Sequence, residues 1–337
     1  MEDIKVNLNI LFLGHYAPPD ICKPLPVDIP DKVYAVYHHR IYKFLYNNFQ
    51  NVISTNDPKI MFDDSLSSKI DYIFSLYNRM PFNNSEIFIS SVAEYHKIPY
   101  LGATPNIRAL AEDKHLAKMM AKSCGINTPE WIVYNVKNKI YPPEFEGPYF
   151  VKPRFGAASK FIDEKSICID WEKALRRIKY LHSKQLDVIL EKQIDGIYYT
   201  SPVLNNFGNP LFLPCIKELS ILQGNVVTYE QKRKIIGGLT RSINEDLYIE
   251  KKLHDNSKIM FKLIQPLDYT RFDYIVDSNT NEIFFLEFNV CCNLGEHSTI
   301  SQSAESVGIS YENLLLNITY SSLFRGGLIQ NTFGKQF

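Results

Sequence analysis

The first hundred residues alternate short apolar runs with stretches of helical periodicity, and that alternation limits the fold more than any other feature of the chain. Residues 8–13 and 71–76 are strand-like, 33–44 and 85–95 are helical, and 98–101 is a further apolar run. Strand, helix, strand, helix, strand needs long crossovers between parallel strands, so it predicts a doubly wound α/β sheet. In such a sheet, ligands sit beyond the carboxyl ends of the strands. The segments that follow two of them, His15-Tyr16-Ala17-Pro18-Pro19-Asp20 and Tyr77-Asn78-Arg79-Met80-Pro81, are candidate crevice linings. Neither is glycine-rich, and no G-x-G-x-x-G follows the first strand, which argues against a dinucleotide site there.

Near residue 104 the pattern changes. Thr104-Pro105 opens a helical region, and Asp113 can cap a helix in which Leu116, Met119 and Met120 fall at i, i+3, i+4 before Gly125 stops it. Strand-like segments at 131–134, 149–152 and 186–192, with a helix at 170–182, form a small α+β unit. Beyond it come strand-like 198–204 and 211–217, a polar loop around 218–245, a helix near 246–264, a hairpin over 270–289 and a closing helix at 310–324. At 337 residues the chain exceeds a single core. The expected divisions are 1–107, an N-terminal α/β domain, 108–188, a central α+β domain, and 189–337, a C-terminal α+β domain.

Composition excludes several classes. With 45% hydrophobic and 22% charged residues the chain is not a disordered one. Its 37 basic residues balance 37 acidic ones, so no overall positive field gathers nucleic acid or an anionic membrane. No window approaches the roughly 20 apolar residues of a spanning helix. Glu2 and Asp3 stand where a signal peptide carries basic residues, so a cytoplasmic protein is expected. The six cysteines, at 22, 124, 168, 215, 291 and 292, show no Cys-x-x-Cys spacing and read as reduced thiols.

The hairpin carries the strongest chemical signal. Two strand-like runs are joined by Asp277-Ser278-Asn279-Thr280-Asn281, a loop-forming composition. Period-two alternation puts Arg271 and Asp273 on one face of the first strand and Glu287 and Asn289 on one face of the second. Glu287 lies between Leu286 and Phe288, and a carboxylate in such a strand costs free energy unless something neutralises it. Oxygen ligands of this kind suit Mg²⁺. The plainer alternative is that Arg271 pairs with Asp273 or Glu287 on a sheet surface. A second signal is Lys152, which ends an apolar strand and enters Pro153-Arg154-Phe155-Gly156-Ala157-Ala158-Ser159-Lys160. Small residues with free amides can fold over an anion beside such a lysine. Lys114, in the first turn of its helix, is unfavourably placed for the helix dipole. Taken singly, each lysine also fits a solvated surface, and Glu191 fits a plain strand end.

In combination and order these segments resemble the ATP-grasp fold, most closely the D-alanine–D-alanine ligase-like carboxylate–amine ligases, over about residues 98–323. The resemblance implies an N-terminal doubly wound domain and two α+β domains clasping ATP. It implies that Lys114 and Lys152 hold nucleotide phosphates with the loop through Ser159. The hinge 190–196 would receive the adenine on Glu191 and the following backbone at Lys192 and Ile194. Asp273, Glu287 and Asn289 would carry Mg²⁺, two ions in all, Arg271 would steady the reacting carboxyl group, and Ser298 would recognise a substrate carboxylate. The mobile-loop lysine–tyrosine pair of that family is similar to Lys232-Arg233 here, in a loop expected to act as a lid with Lys234. Several positions depart from the family. Tyr198 stands where a glutamate binds the ribose, Ala157-Ala158 replace serines in a loop one residue short, and Cys292-Asn293 replace a Pro-Gly. His15-Tyr16-Ala17-Pro18 stands where the first D-alanine is held. The implied activity is ATP-dependent amide formation through an acyl phosphate, on small-molecule carboxylate and amine substrates, amino acids or small peptides other than D-alanine with itself. No nucleic-acid or membrane partner is expected, and a homodimer is compatible. The alternatives are a phosphotransferase on the same fold and a catalytically weak nucleotide-binding protein.

Overall fold

The computed structural model describes residues 5–18, 32–77, 85–156, 159–220, 231 and 237–330. The N-terminal part contains β1 (Val6–Leu13), α1 (Lys32–Asn48), β2 (Phe49–Thr55), α2 (Leu66–Lys69), β3 (Tyr72–Ser75) and α3 (Phe88–His96). Its sheet is parallel with the order β2-β1-β3. The second half of the central strand, Ile10 to Leu13, is apolar without alternation and fully buried because both its faces are covered there. Sequence reading did not find β2. It is an edge strand whose Gln50, Asn51 and Ile53 are exposed, so it carries neither an apolar run nor a clean alternation. The run 98–101 supplies only one parallel bridge, Ile73 to Tyr100. Pro99 has no N–H to donate, and Gly102, at φ +99°, turns the chain away.

The middle of the chain forms α4 (Pro105–Glu112), α5 (Lys114–Ser123), β4 (Trp131–Tyr134), β5 (Tyr149–Pro153), β6 (Ile167–Cys168), α6 (Trp171–Ser183) and β7 (Val188–Lys192). The sheet is antiparallel in the order β4-β7-β5-β6, with Ala174, Ile178 and Leu181 of α6 in its core. One expectation is reversed in α5. Leu116 and Met119, two of the three residues that mark its apolar spacing, are exposed, whereas Lys114, Ala117, Lys118 and Ala121 are buried.

The last part holds β8 (Gly196–Leu204), β9 (Leu211–Phe212), β10 (Ile216–Ser220), β11 (Leu239–Ile243), α7 (Leu247–Leu263), β12 (Tyr269–Asp277), β13 (Ile283–Asn289), α8 (Thr299–Ser306) and α9 (Tyr311–Arg325). Its strands run β11-β10-β8-β12-β13, with β9 also on β8. The single run expected at 211–217 is split into β9 and β10, with Pro214 between them. One core joins Phe272, Tyr274, Phe285 and Phe288 to Met260 and Phe261 of α7 and to Ala117 and Ala121 of α5. Another joins Ile10, Phe12 and Phe74 of the N-terminal sheet to Leu314 and Ile318 of α9. Among the described residues no helix is long and apolar enough to cross a membrane.

Candidate active site

The hairpin of β12 and β13 presents four polar side chains on the face opposite its core. Register sets Arg271 against Asn289 and Asp273 against Glu287, while the intervening Phe272, Tyr274 and Phe288 are buried on the other side. The register shifts after Asp273, leaving Leu286 as an extra residue beside Glu287. Asp273 is the node of the cluster. Its Oδ1 accepts the Thr200 hydroxyl at 3.0 Å, and its Oδ2 accepts Asn289 Nδ2 at 3.0 Å and Arg271 Nη2 at 3.3 Å. Burial opposes the Arg271 charge, but Asp273, followed by Cys292, Glu218 and Glu287, together outweigh it and raise the guanidinium pKa. Thr200 escaped sequence reading because only strand pairing places it opposite Asp273.

Two lysines reach this cluster from other elements. Asp113 caps α5, accepting the N–H groups of His115 at 3.0 Å and Leu116 at 3.4 Å, and Arg154 forks onto its two oxygens at 2.9 and 2.6 Å. That clamp holds the next residue, Lys114, in a buried position with its Nζ 3.9 Å from Glu287 Oε2 and donating to the Gly156 carbonyl. Burial lowers the Lys114 pKa against the pull of Glu287. Lys152, at the end of β5, lies 3.0 Å from Glu191 Oε2. Lys118 lies 3.2 Å from Glu191 Oε1 and donates to Thr128 Oγ1 at 2.8 Å. Burial alone would raise the Glu191 carboxyl, but these two lysines hold it below its ordinary value. Lys118 is wholly buried, and its ammonium is pushed down to about 8. The available signal for it was the spacing, since Lys114 and Lys118 are one turn apart and share a helix face.

Part of this set opens onto one cleft, whereas Lys114, Lys118, Arg271 and Asn289 are not among the residues that line it. Lys152, Ser159, Glu191, Lys192, Ile194, Tyr198, Asp273 and Glu287 all line it. Thr200 and Glu218 line it too, and Glu218 is paired with Arg241 at 2.6 Å. Burial, then Glu191 and Glu287, raises the Tyr198 hydroxyl pKa. Ser298 is not among the lining residues. Its hydroxyl caps α8, accepting Ser301 N–H at 3.2 Å, 2.9 Å from Ser301 Oγ. Lys232, Arg233 and Lys234 lie outside the described residues, as do Asp20, Cys22, Arg79, Ala157 and Ala158. The other five cysteines are free thiols. Cys291 accepts from Arg108 at 2.8 Å, and Cys292 donates to the Asn289 carbonyl at 2.9 Å, so both brace the loop after β13.

The donor set fits a hard divalent cation. Asp273 and Glu287 are cross-strand neighbours of like charge, offset by Arg271 and Lys114, and with Asn289 they offer oxygen ligands. Lys152, which lines the cleft with Ser159, and Lys114, which reaches the Gly156 carbonyl, suit an anion of several charges.

The chain matches the family model described as D-ala D-ala ligase C-terminus over residues 120–319. It is 26% identical over 296 residues to a D-alanine–D-alanine ligase of Carboxydothermus hydrogenoformans, covering 82% of this chain and 89% of that protein. The fold matches a D-alanine–D-alanine ligase from Bacillus anthracis complexed with ATP, with a TM-score of 0.73 at 18% identity over 95% of this chain and 99% of that one. It also matches the VanG D-Ala:D-Ser ligase from Enterococcus faecalis, with a TM-score of 0.69 at 16% identity over 94% and 100% of the two chains. The chain therefore belongs to the D-alanine–D-alanine ligase family and is an ATP-grasp, ATP-dependent carboxylate–amine ligase of the ADP-forming type.

Proposed function

We propose that this ligase joins two amino acids, or an amino acid and a small peptide, through an acyl phosphate, and that D-alanine paired with itself is not its substrate pair. The observation that carries the reaction type is the convergence of Lys152, Glu191, Asp273 and Glu287 on one cleft, with Lys114 beside Glu287. A carboxylate is a poor electrophile, and taking a phosphoryl group gives it a leaving group that an amine displaces. Lys114 and Lys152 neutralise the phosphates of ATP, and the hinge from Glu191 to Ile194 holds the base. Asp273, Glu287 and Asn289 hold Mg²⁺, two ions in this reading, which neutralises phosphate oxygens during transfer. Arg271 steadies the oxyanion of the reacting carboxyl group.

The substrate reading rests on the carboxyl ends of β1 and β3. His15 stacks on Tyr77 at 4.0 Å between ring centroids, and Tyr16 meets the buried His38 edge-on at 5.7 Å. This group of rings is continuous with the loop after β13, since Tyr37 packs on His38 and its hydroxyl accepts the Leu294 N–H at 3.2 Å. Aromatic walls there change the size and polarity of a pocket suited to D-alanine. The VanG neighbour, named for D-Ala and D-Ser, supports variation of one substrate on this fold. ADP release is measured with amino acids and dipeptides in pairs, with D-alanine alone as one pair. Turnover with a pair other than D-alanine with itself is the expected result. Efficient condensation of D-alanine with itself at millimolar concentration overturns the substrate reading, and ADP release that needs no amine favours a phosphotransferase.

A further inference from the structure

Behind the loop that leads from β5 to β6 stands a buried arginine that sequence reading passed over. Arg177 is 6% exposed, on the face of α6 that also buries Ala174, Ile178 and Leu181. A charge in that position needs partners. Its Nη2 donates to the Phe161 carbonyl at 2.6 Å and to Ser166 Oγ at 3.3 Å, and its Nη1 to Asp163 Oδ2 at 3.2 Å. The backbone it grips is unusual. Gly156, Ser159 and Phe161 have φ of +93°, +56° and +61°. Glycine adopts that region freely, but serine and phenylalanine stay there only where their surroundings hold them. Ser159 and Phe161 bracket a turn in which the Ile162 N–H donates to the Ser159 carbonyl at 3.0 Å. Ser159 and Ile162 both line the cleft with Lys152 and Glu191. On the near side, Gly156 is tied to α4 and α5 through the Glu112 carbonyl and Lys114. On the far side, Arg177 ties the backbone, and the Phe161 ring packs against the core that α6 covers.

We propose that Arg177 is a positioning residue for nucleotide binding: it touches no substrate, but it fixes the left-handed turn at Ser159–Phe161 that presents Ser159 to the phosphates. This rests on the reading of that loop as the phosphate site. A turn held in place before ligand arrives spares the ordering cost at binding. Lysine cannot replace the residue, because one ammonium does not reproduce the planar fork that reaches a carbonyl and a carboxylate together.

The test compares wild type, Arg177→Lys and Arg177→Met in the full chain. Arg177→Lys keeps the charge and the aliphatic stem, and so keeps the fold. Calorimetry with Mg²⁺ measures the Kd of a non-hydrolysable ATP analogue and of adenosine. The analogue Kd should rise about tenfold in both variants while that of adenosine stays within twofold, since adenosine has no phosphates for the loop to meet. An unchanged analogue Kd overturns the proposal, and so does equal weakening of both ligands, the mark of a merely structural residue. Lys152→Met separates the two readings. If it leaves analogue binding unchanged, the phosphate site itself is misassigned. If it weakens analogue binding while the Arg177 variants do not, only the role of Arg177 falls.

Discussion

Glu287 shows how much a single side chain carries here. It sits on a strand beside Asp273, with Lys114 3.9 Å away, in the cleft that Lys152 and Tyr198 also line. Glu287→Gln keeps its shape and removes its charge, so it should abolish ADP release while circular dichroism and the melting temperature stay close to wild type. Normal turnover in a folded Glu287→Gln protein would remove the metal assignment. His38 offers a different test. Burial first, and His15 second, push its imidazole down to about 3, and its Nδ1 accepts the Tyr16 N–H at 3.3 Å. The unfolded chain takes up that proton near the ordinary pKa of about 6.5, whereas the fold refuses it until about pH 3. His38 therefore makes no pH-dependent contribution above about pH 6.5 and erodes stability as pH falls from there toward 3. The loss from this group should be about 2 kcal/mol between pH 6.5 and 4.5, read by urea unfolding, and His38→Gln should remove it.

At the scale of elements, α5 depends on Asp113 more than on its own apolar spacing. The exposed Leu116 and Met119 contribute little packing, and the buried face carries two lysines. Those lysines are tolerated because Glu191 on β7 and Glu287 on β13 face them. Asp113 joins α5 to the segment after β5: it caps the helix, its carboxylate holds the Arg154 side chain, and its own main chain bridges to Phe155. Asp113→Ala removes a cap and leaves Arg154 without its carboxylate, which should cost about 2–4 kcal/mol in urea unfolding. Asp113→Asn keeps the cap and should cost about half as much. Equal effects of the two would show that the cap contributes nothing, and an unchanged stability in Asp113→Asn would show the same of the ion pair.

Across the whole molecule, the N-terminal sheet and the last helix are one packed body. Tyr72 donates to Ser322 at 2.7 Å, and Arg325 reaches the fully buried Asp268 at 2.7 and 2.9 Å and the Tyr100 carbonyl at 2.8 Å. Asp268 also accepts the Gly102 N–H at 2.6 Å. Burial disfavours the Arg325 charge, and Asp268 more than restores it. Arg325→Met would leave a buried carboxylate with no cation, so it should lower stability by about 3–5 kcal/mol in urea unfolding. A change below about 1 kcal/mol would mean that the pair is not a structural tie. We propose divisions near 107 and 188 as the units of the chain, with α9 as the strap that fastens the third unit to the first.

Local chemistry determined what the sequence could reveal by itself. Alternation in β12 and β13 put Arg271, Asp273, Glu287 and Asn289 on shared faces, and the central strands, the hairpin and the capped helices were legible because their signals lie within a few residues. The tertiary structure alone decided the rest. Edge strand β2 has no apolar run to announce it, Pro99 and Gly102 cut short a strand that composition favoured, and α5 turned its apolar stripe outward. Thr200 and Arg177 became visible only when register and packing brought them to Asp273 and Phe161, and packing alone brought Lys118, one turn after Lys114, to Glu191. A buried charge is stable only beside a partner, and that partner lies on another element, at a distance in sequence that no local pattern records.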